Sequence, residues 1–165
     1  ADTTVNEDPT ADELVEIIGL TANGVRFFDI EPKIAILSYS NFGSAKGKVP
    51  LKTALATTKA KAQYPDLVIE GEMQANVALD EGIQKENYPF SALINNKANT
   101  LIFPDLASGN IAYKLVAEVG NAEAIGPILL GMNKSVHILQ LGSSIREIVN
   151  MVAIAVVDAQ TIESE

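Results

Sequence analysis

The sequence contains no cysteine and no tryptophan, and it has a single histidine, His137. Without cysteine the chain has no disulfide framework, no thiolate zinc site and no cysteine nucleophile. The lack of cysteine fits a reducing compartment, so we expect a cytoplasmic protein. A Ser-His-carboxylate triad would have to use His137, which lies in an apolar run, residues 136–139, that is typical of a strand. We therefore interpret His137 as a structural strand residue.

Long hydrophobic runs and an excess of basic residues are also missing. The apolar runs are far shorter than the roughly 20 residues that a membrane-spanning helix needs, and residues 1–10 do not resemble a signal peptide. The chain carries 12 basic and 21 acidic residues, a net charge of −9. Nucleic-acid binding needs an extended basic face. We expect a soluble protein whose partners are neither membranes nor nucleic acids.

One internal segment, in contrast, lacks acidic residues. Between Pro32 and Pro65 there is no Asp or Glu, yet this fifth of the chain holds half of its twelve basic residues. In a chain of negative net charge, such a concentration predicts an anionic ligand near the segment. The six lysines are Lys33, Lys46, Lys48, Lys52, Lys59 and Lys61.

Short apolar runs alternate with helical patterns along the chain. This alternation predicts an α/β sandwich with a mostly parallel sheet. The length of 165 residues fits one domain, and we see no linker. The predicted strands cover residues 33–38, 67–69, 100–103, 128–130 and 136–139.

The helical patterns have recognisable starts and one unusual end. Thr10 and Glu13 have the spacing of a capping box, which predicts the start of the first helix. The last helix has apolar residues nearly all the way round, which predicts docking onto a second copy or onto another domain. The other predicted helices cover residues 51–64, 75–83, 106–119 and 144–159, and residues 86–99 are predicted as a loop.

The segment Ser38–Gly47, which we call the serine loop, follows the first predicted strand. Loops at the carboxyl edge of a parallel sheet are where α/β folds bind ligands. The amide of Gly43, the hydroxyls of Ser40 and Ser44, and Lys46 could converge on an anion at the start of the next helix. The spacing is not that of a P-loop. Loops of this composition are often only turns, so both interpretations stay open.

The acidic residues give no sign of a metal site. Glu70, Glu72, Asp80 and Glu81 lack any recognised ligand spacing. We expect them on the solvated surface or at helix caps, and we predict neither a metal nor a cofactor.

Many blocks along the chain, in order, match one known family. They are residues 8–11, 31–33, 38–40, 43–44, 71–74, 97–99, 101–106, 109–111, 113–114, 123–129, 133–134 and 148–150. Through them the chain resembles the phosphate acetyl/butyryltransferases over almost its whole length. The resemblance implies a three-layer α/β/α sandwich of the isocitrate/isopropylmalate dehydrogenase-like type. It makes residues 1–165 one transferase-like domain that lacks the family's amino-terminal portion.

The resemblance also implies a ligand, acetyl-CoA or acetyl phosphate, and a metal-free transfer of acetyl between CoA and phosphate. Glu147 falls where the family carries an acid proposed to help deprotonate the CoA thiol. Ser144 and Glu147 also have capping-box spacing, so a structural role is equally open. The ligand-binding residues that we expect are Ser38, Ser40, Asn41, Gly43, Ser44, Lys46, Gly71, Asn99, Pro104, Asn110, Lys114, Gly126 and Gln140.

One departure bears on catalysis. Active members carry a Ser-Arg pair where this chain has Gln140 and Leu141 before Gly142. Loss of a donor that stabilises transition-state charge typically costs about 10²–10³ in rate. With this departure, the chain most resembles the carboxy-terminal domain of large bacterial NADP-dependent malic enzymes. Its opening residues, 1–3, look like the middle of such a domain, so we expect a fragment.

The branch that the chain resembles implies a regulatory role. Such a domain binds acetyl-CoA without turning it over, contributes to a homodimer or larger homo-oligomer, and follows a malic-enzyme catalytic domain. The main alternative is an active phosphate acetyl/butyryltransferase that exchanges an acyl group between CoA and phosphate. A third possibility is an oligomerisation domain with a vestigial pocket.

Overall fold

The computed structural model describes the backbone of residues 1–164 and the side chains of residues 1–161. These residues fall into two compact units, residues 1–112 and residues from Tyr113 onward. The predicted single domain over residues 1–165 stays a prediction. The helices are α1 (Ala11–Arg26), α2 (Lys48–Gln63), α3 (Ala75–Leu79), α4 (Glu81–Asn87), α5 (Leu106–Val119) and α6 (Ile145–Ser164). The strands are β1 (Lys33–Leu37), β2 (Val68–Met73) and β3 (Thr100–Ile102).

The three strands form one parallel sheet in the order β2-β1-β3, so the predicted parallel α/β architecture is confirmed. Ile34 of the central strand lies opposite Ile69 on one side and Thr100 on the other. The central strand is apolar from Ile34 to Leu37 because a parallel strand between two helical layers is covered on both faces.

Alternate side chains of β1 enter two separate cores. Ile34 and Ile36 pack with residues of α1 and α2 on one face of the sheet. Ala35 and Leu37 pack on the other face, in a cluster that includes Val77 of α3. Because strand side chains alternate between faces, the first unit is a three-layer sandwich with helices on both sides of the sheet.

The predicted capping box at the start of α1 is confirmed. The N–H of Thr10 donates to Glu13 Oε2 at 2.7 Å, and the N–H of Glu13 donates to Thr10 Oγ1 at 3.3 Å. Two of the free amides at the helix start are thereby satisfied. The fixed start of α1 aims Leu14 and Ile18, both fully buried, at the sheet.

The predicted helix over residues 75–83 is wrong, because Asp80 divides it into α3 and α4. Asp80 has extended backbone angles, and its carboxylate accepts the N–H of Ile83 at 3.1 Å as the N-cap of α4. Gln84 of α4 then donates to the carbonyl of Val77 at 2.7 Å. The turn from one helix to the other is therefore closed by side chains.

The strands predicted over residues 128–130 and 136–139 are also wrong, since neither run forms a strand among residues 1–164. The N–H of Leu129 donates to His137 Nδ1 at 3.3 Å instead of to a neighbouring strand. The side chain of His137 is buried, and its Nε2 lies 3.5 Å from a carboxylate oxygen of Asp158. His137 is thus engaged within the fold, as predicted, but in irregular backbone.

Helix α6 carries the predicted apolar surface, and much of this surface is exposed. Met151 is only 4% exposed, whereas Ile145 and Val149 are 83% and 60% exposed. The predicted docking onto a second copy or another domain stays a prediction. Within residues 1–164, no helix is both long and apolar enough to cross a membrane.

Candidate functional site

The serine loop lies at the carboxyl edge of the sheet, tied to the end of β2. The N–H of Ser38 donates to the carbonyl of Met73 at 2.9 Å, and the N–H of Phe42 donates to the carbonyl of Glu72 at 2.8 Å. Phe42 and Gly43 both have positive φ, 48° and 86°. The loop therefore makes a tight left-handed turn over the end of β2.

Glu72 occupies the centre of this turn. Its side chain accepts the hydroxyl hydrogen of Ser40 at 2.8 Å and the N–H of Gly43 at 2.7 Å, both on Oε1. Glu72 is only 2% exposed, so its expected place on the solvated surface is wrong. The carboxylate is stable inside because hydrogen bonds replace its water. Two donors predicted for an external anion thus bind the protein's own carboxylate.

The remaining polar atoms of the serine loop hold the turn together. Asn41 N–H donates to Ser44 Oγ at 2.9 Å, and Ala45 N–H donates to Ser40 Oγ at 3.0 Å. Asn41 Oδ1 accepts the N–H of Gln74 at 2.7 Å, which joins the loop to the start of α3. The sequence-predicted residues 38–44 are therefore brought together as one network.

The lysines of the acid-free segment are mostly paired. Lys48 and Lys52 contact Asp8 at 3.2 and 2.7 Å, and Lys59 contacts Asp12 at 2.5 Å. Lys61 pairs with Glu70 of β2. The acids come from outside residues 32–65, which is why the segment looked unbalanced in the sequence. Four of the six lysines contact three carboxylates, because Lys48 and Lys52 share Asp8, so most of the segment's positive charge is balanced locally. The charge argument for an anion now depends mainly on the other two lysines.

Lys46 is the charged residue closest in sequence to the turn. It is exposed, and it forms no ion pair with any side chain of residues 1–161. It precedes Gly47, the N-cap of α2, which has no side chain to satisfy the first amides of that helix. Positive charge and helix-start amides without a side-chain cap therefore lie close together where the serine loop joins α2, at Lys46 and Gly47.

Glu70 was also expected at the surface, and this is wrong. It is 5% exposed, and it accepts the N–H of Ala92 at 2.9 Å in addition to its pairing with Lys61. The charge of a buried carboxylate is tolerated where a cation and an amide meet it. Glu70 therefore anchors the segment after α4 onto the sheet.

Asn99 lies at the opposite edge of the sheet from the serine loop. Its Oδ1 accepts the N–H of Lys33 at 2.8 Å, and its Nδ2 donates to the carbonyl of Glu31 at 2.9 Å. Lys33 begins β1 and the loop follows its end, so a five-residue strand, about 16 Å long, separates them. The structure gives Asn99 a role in pairing β1 with β3 and does not bring it to the loop.

Three more predicted ligand residues of the first unit have structural contacts. The carbonyl of Pro104 accepts Lys52 Nζ at 2.9 Å, and Asn110 Nδ2 donates to the carbonyl of Thr3 at 3.1 Å. Gly71 lies within β2 opposite Ile36. Of the three, Pro104 follows the carboxyl end of β3, on the same edge of the sheet as the loop.

In the second unit, Gln140 and Lys114 both contact Tyr113. Gln140 Nε2 donates to the Tyr113 hydroxyl at 3.1 Å, and Lys114 Nζ lies 5.8 Å from the ring centroid. Gly126 has a φ of 132°, a conformation that favours glycine. Leu141 is fully exposed. Lys114 and Gln140 thus belong to one cluster around a tyrosine.

The capping box between Ser144 and Glu147 is confirmed. Ser144 N–H donates to Glu147 Oε2 at 2.6 Å, and Glu147 N–H donates to Ser144 Oγ at 3.2 Å. The hydrogen bond from the Ser144 amide lowers the pKa of Glu147 below its usual 4.5. A lower pKa makes a carboxylate a weaker base, so this geometry suits capping better than taking a proton from a thiol.

The capping role predicts a pH dependence. Because the pKa of Glu147 is lowered in the folded state, its stabilising effect is present above pH 4.5 and is lost as pH falls through the folded-state pKa. Urea unfolding followed by circular dichroism should show a smaller stability loss on acidification in Glu147→Gln than in the wild type. All other carboxylates titrate in both proteins, so equal losses would contradict the capping role.

One cavity was not expected from the sequence. A groove of about 460 Å³ lies where the end of α1 meets the end of α2, with Arg26, Tyr64 and Leu67 among its lining residues. None of the predicted ligand residues lines it. Among the side chains of residues 1–161, no group of three histidine or acidic residues is placed to hold a metal ion. The residue that sequence reasoning missed at the loop is Glu72, although the block 71–74 contributed to the resemblance.

Comparison with known proteins identifies the family. The family model described as phosphate acetyl/butaryl transferase matches residues 1–156. The chain is 46% identical over 159 residues to the NADP-dependent malic enzyme of Haemophilus influenzae, covering 96% of the chain and 21% of the enzyme. It is 47% identical over 161 residues to the phosphate acetyltransferase of Clostridium acetobutylicum, covering 97% and 48%.

A solved structure agrees with the sequence relatives. The phosphotransacetylase from Streptococcus pyogenes superimposes with a TM-score of 0.90 at 42% identity, covering 100% of this chain and 49% of the other. The chain thus spans about a fifth of the malic enzymes and about half of the shorter transferases that it matches. From this agreement of sequence and fold, the chain belongs to the phosphate acetyl/butyryl transferase family.

Proposed function

We propose that this domain binds acetyl-CoA as a regulatory ligand and does not transfer the acetyl group. The observation that carries the proposal is the pair Gln140 and Leu141, which replaces the Ser-Arg pair of active members with a tyrosine-bonded amide and an exposed apolar side chain. The second unit contains one arginine, Arg146, and it pairs with Glu123 at 2.9 Å. The arginine that would stabilise charge on a transferring acyl phosphate is thus absent from position 141, and the unit's single arginine contacts a carboxylate elsewhere.

The names of the relatives support a place for this domain in the malic-enzyme branch of the family. NADP-dependent malic enzymes from Haemophilus influenzae and Salmonella typhimurium match nearly the whole chain at 46% and 45% identity, while the chain spans only 21% of each. In the proposed arrangement, a malic-enzyme catalytic domain accompanies this one in a cytoplasmic protein. The exposed apolar surface of α6 would then dock in a homodimer or larger homo-oligomer.

The first unit offers an anion-attracting surface for the phosphate groups of acetyl-CoA. Lys46 is unpaired among the side chains of residues 1–161, and the adjacent start of α2 adds amides that no side chain caps. Lys48 is also exposed there, although it contacts Asp8. The proposed role of the serine loop is to hold Lys46 and the start of α2 at the edge of the sheet, where they can meet the phosphate groups.

Calorimetric titration with acetyl-CoA tests the proposal. At a ligand concentration one hundred times Kd, binding should raise the free energy of unfolding by about 2.7 kcal/mol. Lys46→Gln should weaken binding several-fold. Lys85→Gln is the matched control, because Lys85 pairs with Glu81 on α4 and lies outside the serine loop, so its binding should equal the wild type. Absence of both heat and stabilisation in the wild type would remove acetyl-CoA as the ligand.

An active phosphate acetyltransferase is the second candidate, favoured by the 47% identity to the Clostridium acetobutylicum enzyme. In that case Glu147 would assist the thiol, and phosphate would be held by the residues expected from the sequence, Ser38, Ser40, Ser44 and Lys46. Formation of acetyl-CoA from acetyl phosphate and CoA decides between the two. Turnover that is lost in Ser44→Ala would establish the enzyme, whereas binding without turnover supports the regulatory domain.

A further inference from the structure

We propose that the serine loop is a self-ligated anion site, in which Glu72 supplies the anion and acts as a positioning residue. An external anionic ligand would then bind on the Lys46 side of the loop and would not use the Ser40 hydroxyl or the Gly43 amide. This inference deepens the proposed function and rests on it only for the identity of the external ligand.

The contacts of Glu72 are those that a bound oxyanion would make. One carboxylate oxygen receives an O–H from Ser40 at 2.8 Å and an N–H from Gly43 at 2.7 Å. Donors from a hydroxyl and a backbone amide converging on one oxygen are the usual components of an anion cradle. The donors named from the sequence do converge, but on a side chain 29 and 32 residues away.

Burial keeps this carboxylate in place. Glu72 is 2% exposed and Ser40 is fully buried, so neither group faces solvent in a way that would let an external anion compete. Displacing Glu72 would leave a charged group in the interior without its donors, which is strongly unfavourable. An external anion pressed against these donors would also meet the negative charge of Glu72.

The conformation of the whole turn depends on the same residue. Ser40, once bonded to Glu72, accepts the N–H of Ala45 at 3.0 Å. The carbonyl of Glu72 accepts the N–H of Phe42, a non-glycine residue held at a φ of 48°. Both backbone and side chain of Glu72 therefore fix the loop that presents Lys46 to the outside.

Chemical rescue tests the proposal. In Glu72→Ala the Ser40 hydroxyl and the Gly43 amide lose their acceptor, and a small carboxylate can fill the vacated space. Hydrogen exchange of the Gly43 and Ala45 amides is measured in acetate and in chloride at matched ionic strength. The controls are the wild type, Glu72→Gln, which keeps an acceptor oxygen, and Glu86→Ala, which removes an exposed carboxylate from α4.

In Glu72→Ala we expect the two amides to exchange at least about tenfold faster than in the wild type. Acetate should reverse much of this increase, while chloride should not, and the three controls should respond equally to both salts. If Glu72→Ala does not fold in chloride, recovery of its circular dichroism in acetate is the readout. Acetate acting no better than chloride overturns the proposal.

A second, independent test uses the wild-type protein. Inorganic phosphate should leave the exchange of the Gly43 amide unchanged, and specific protection of that amide by phosphate would mean that an external anion displaces Glu72. Rescue by acetate in the variant together with no acetyl-CoA binding in the wild type would reject the proposed function alone. Acetyl-CoA binding without acetate rescue would reject the self-ligated site alone.

Discussion

Replacing Ile36 with alanine is expected to lower the free energy of unfolding by about 2–5 kcal/mol. Ile36 is fully buried in the central strand, opposite Gly71 and Ile102, and packs in the core beneath α1 and α2. Truncation removes apolar contacts and leaves a cavity between two neighbouring strands and a helical layer. These elements cannot collapse into it without breaking the sheet register, so the loss falls in the range for well-packed sites.

Urea unfolding at fixed pH measures this loss. Ile36→Val should cost only about 0.5–1.5 kcal/mol, because one methyl group is removed and the strand propensity is kept. Leu55→Ala is the matched surface control, since Leu55 of α2 is 49% exposed and should lose less than about 1 kcal/mol. If Ile36→Ala and Leu55→Ala had the same free energy of unfolding, the assignment of β1 as the buried central strand would be wrong.

Gly71→Ala is expected to cost about 2–4 kcal/mol. A Cβ at this position would lie 2.8 Å from the carbonyl oxygen of Ile36 and 3.0 Å from its Cβ. The first of these contacts is with backbone, which moves only if β1 and β2 separate. The φ of Gly71, +155°, is moreover one that side chains rarely adopt.

Thermal and urea unfolding of Gly71→Ala test this expectation beside Gly82→Ala. Gly82 lies in α4, where an added Cβ meets only the side chain of Asp80, at 3.1 Å. Alanine favours helix over glycine by up to about 1 kcal/mol, but the added Cβ would crowd Asp80 Oδ1, the oxygen that caps α4. The two effects oppose each other, so Gly82→Ala should change the free energy of unfolding by less than about 1 kcal/mol. A Gly71→Ala protein as stable as the wild type would mean that β1 and β2 are not paired as described.

Local signals in the sequence were sufficient for much of the fold. The capping box of Thr10 and Glu13, the apolar run of β1 and the loop after it all depend on residues a few positions apart. Such short-range features follow from hydrogen-bonding geometry and periodicity alone. They placed the serine loop correctly at the carboxyl edge of the sheet.

The chemistry inside that loop could not be predicted, because it depends on distant residues. Glu72 and Glu70 read as surface acids until β2 brings them against Ser40, Gly43 and Ala92. The paired lysines have the same origin, since Asp8 reaches Lys52 across 44 residues. Periodicity does not report which charge of one element meets which charge of another.

The strand predictions for the short apolar runs of the second unit were wrong for a different reason. Residues 128–130 and 136–139 have strand composition, but a strand exists only where a neighbour accepts its hydrogen bonds. Here the Leu129 amide goes to the imidazole of His137. Short apolar runs are ambiguous without knowledge of their neighbours.

The attachment of the serine loop to Glu72 has a consequence for the order of folding. The loop leaves β1, yet its turn is completed by a residue of β2, which the chain reaches only after the whole of α2. Closing that long connection is the slow, entropically costly step of a parallel pair. The turn therefore needs β1 and β2 to have joined, and protection of the Gly43 amide reports that pairing, whether or not β3 has been added. Chains in which β1 and β2 are still apart lack the site.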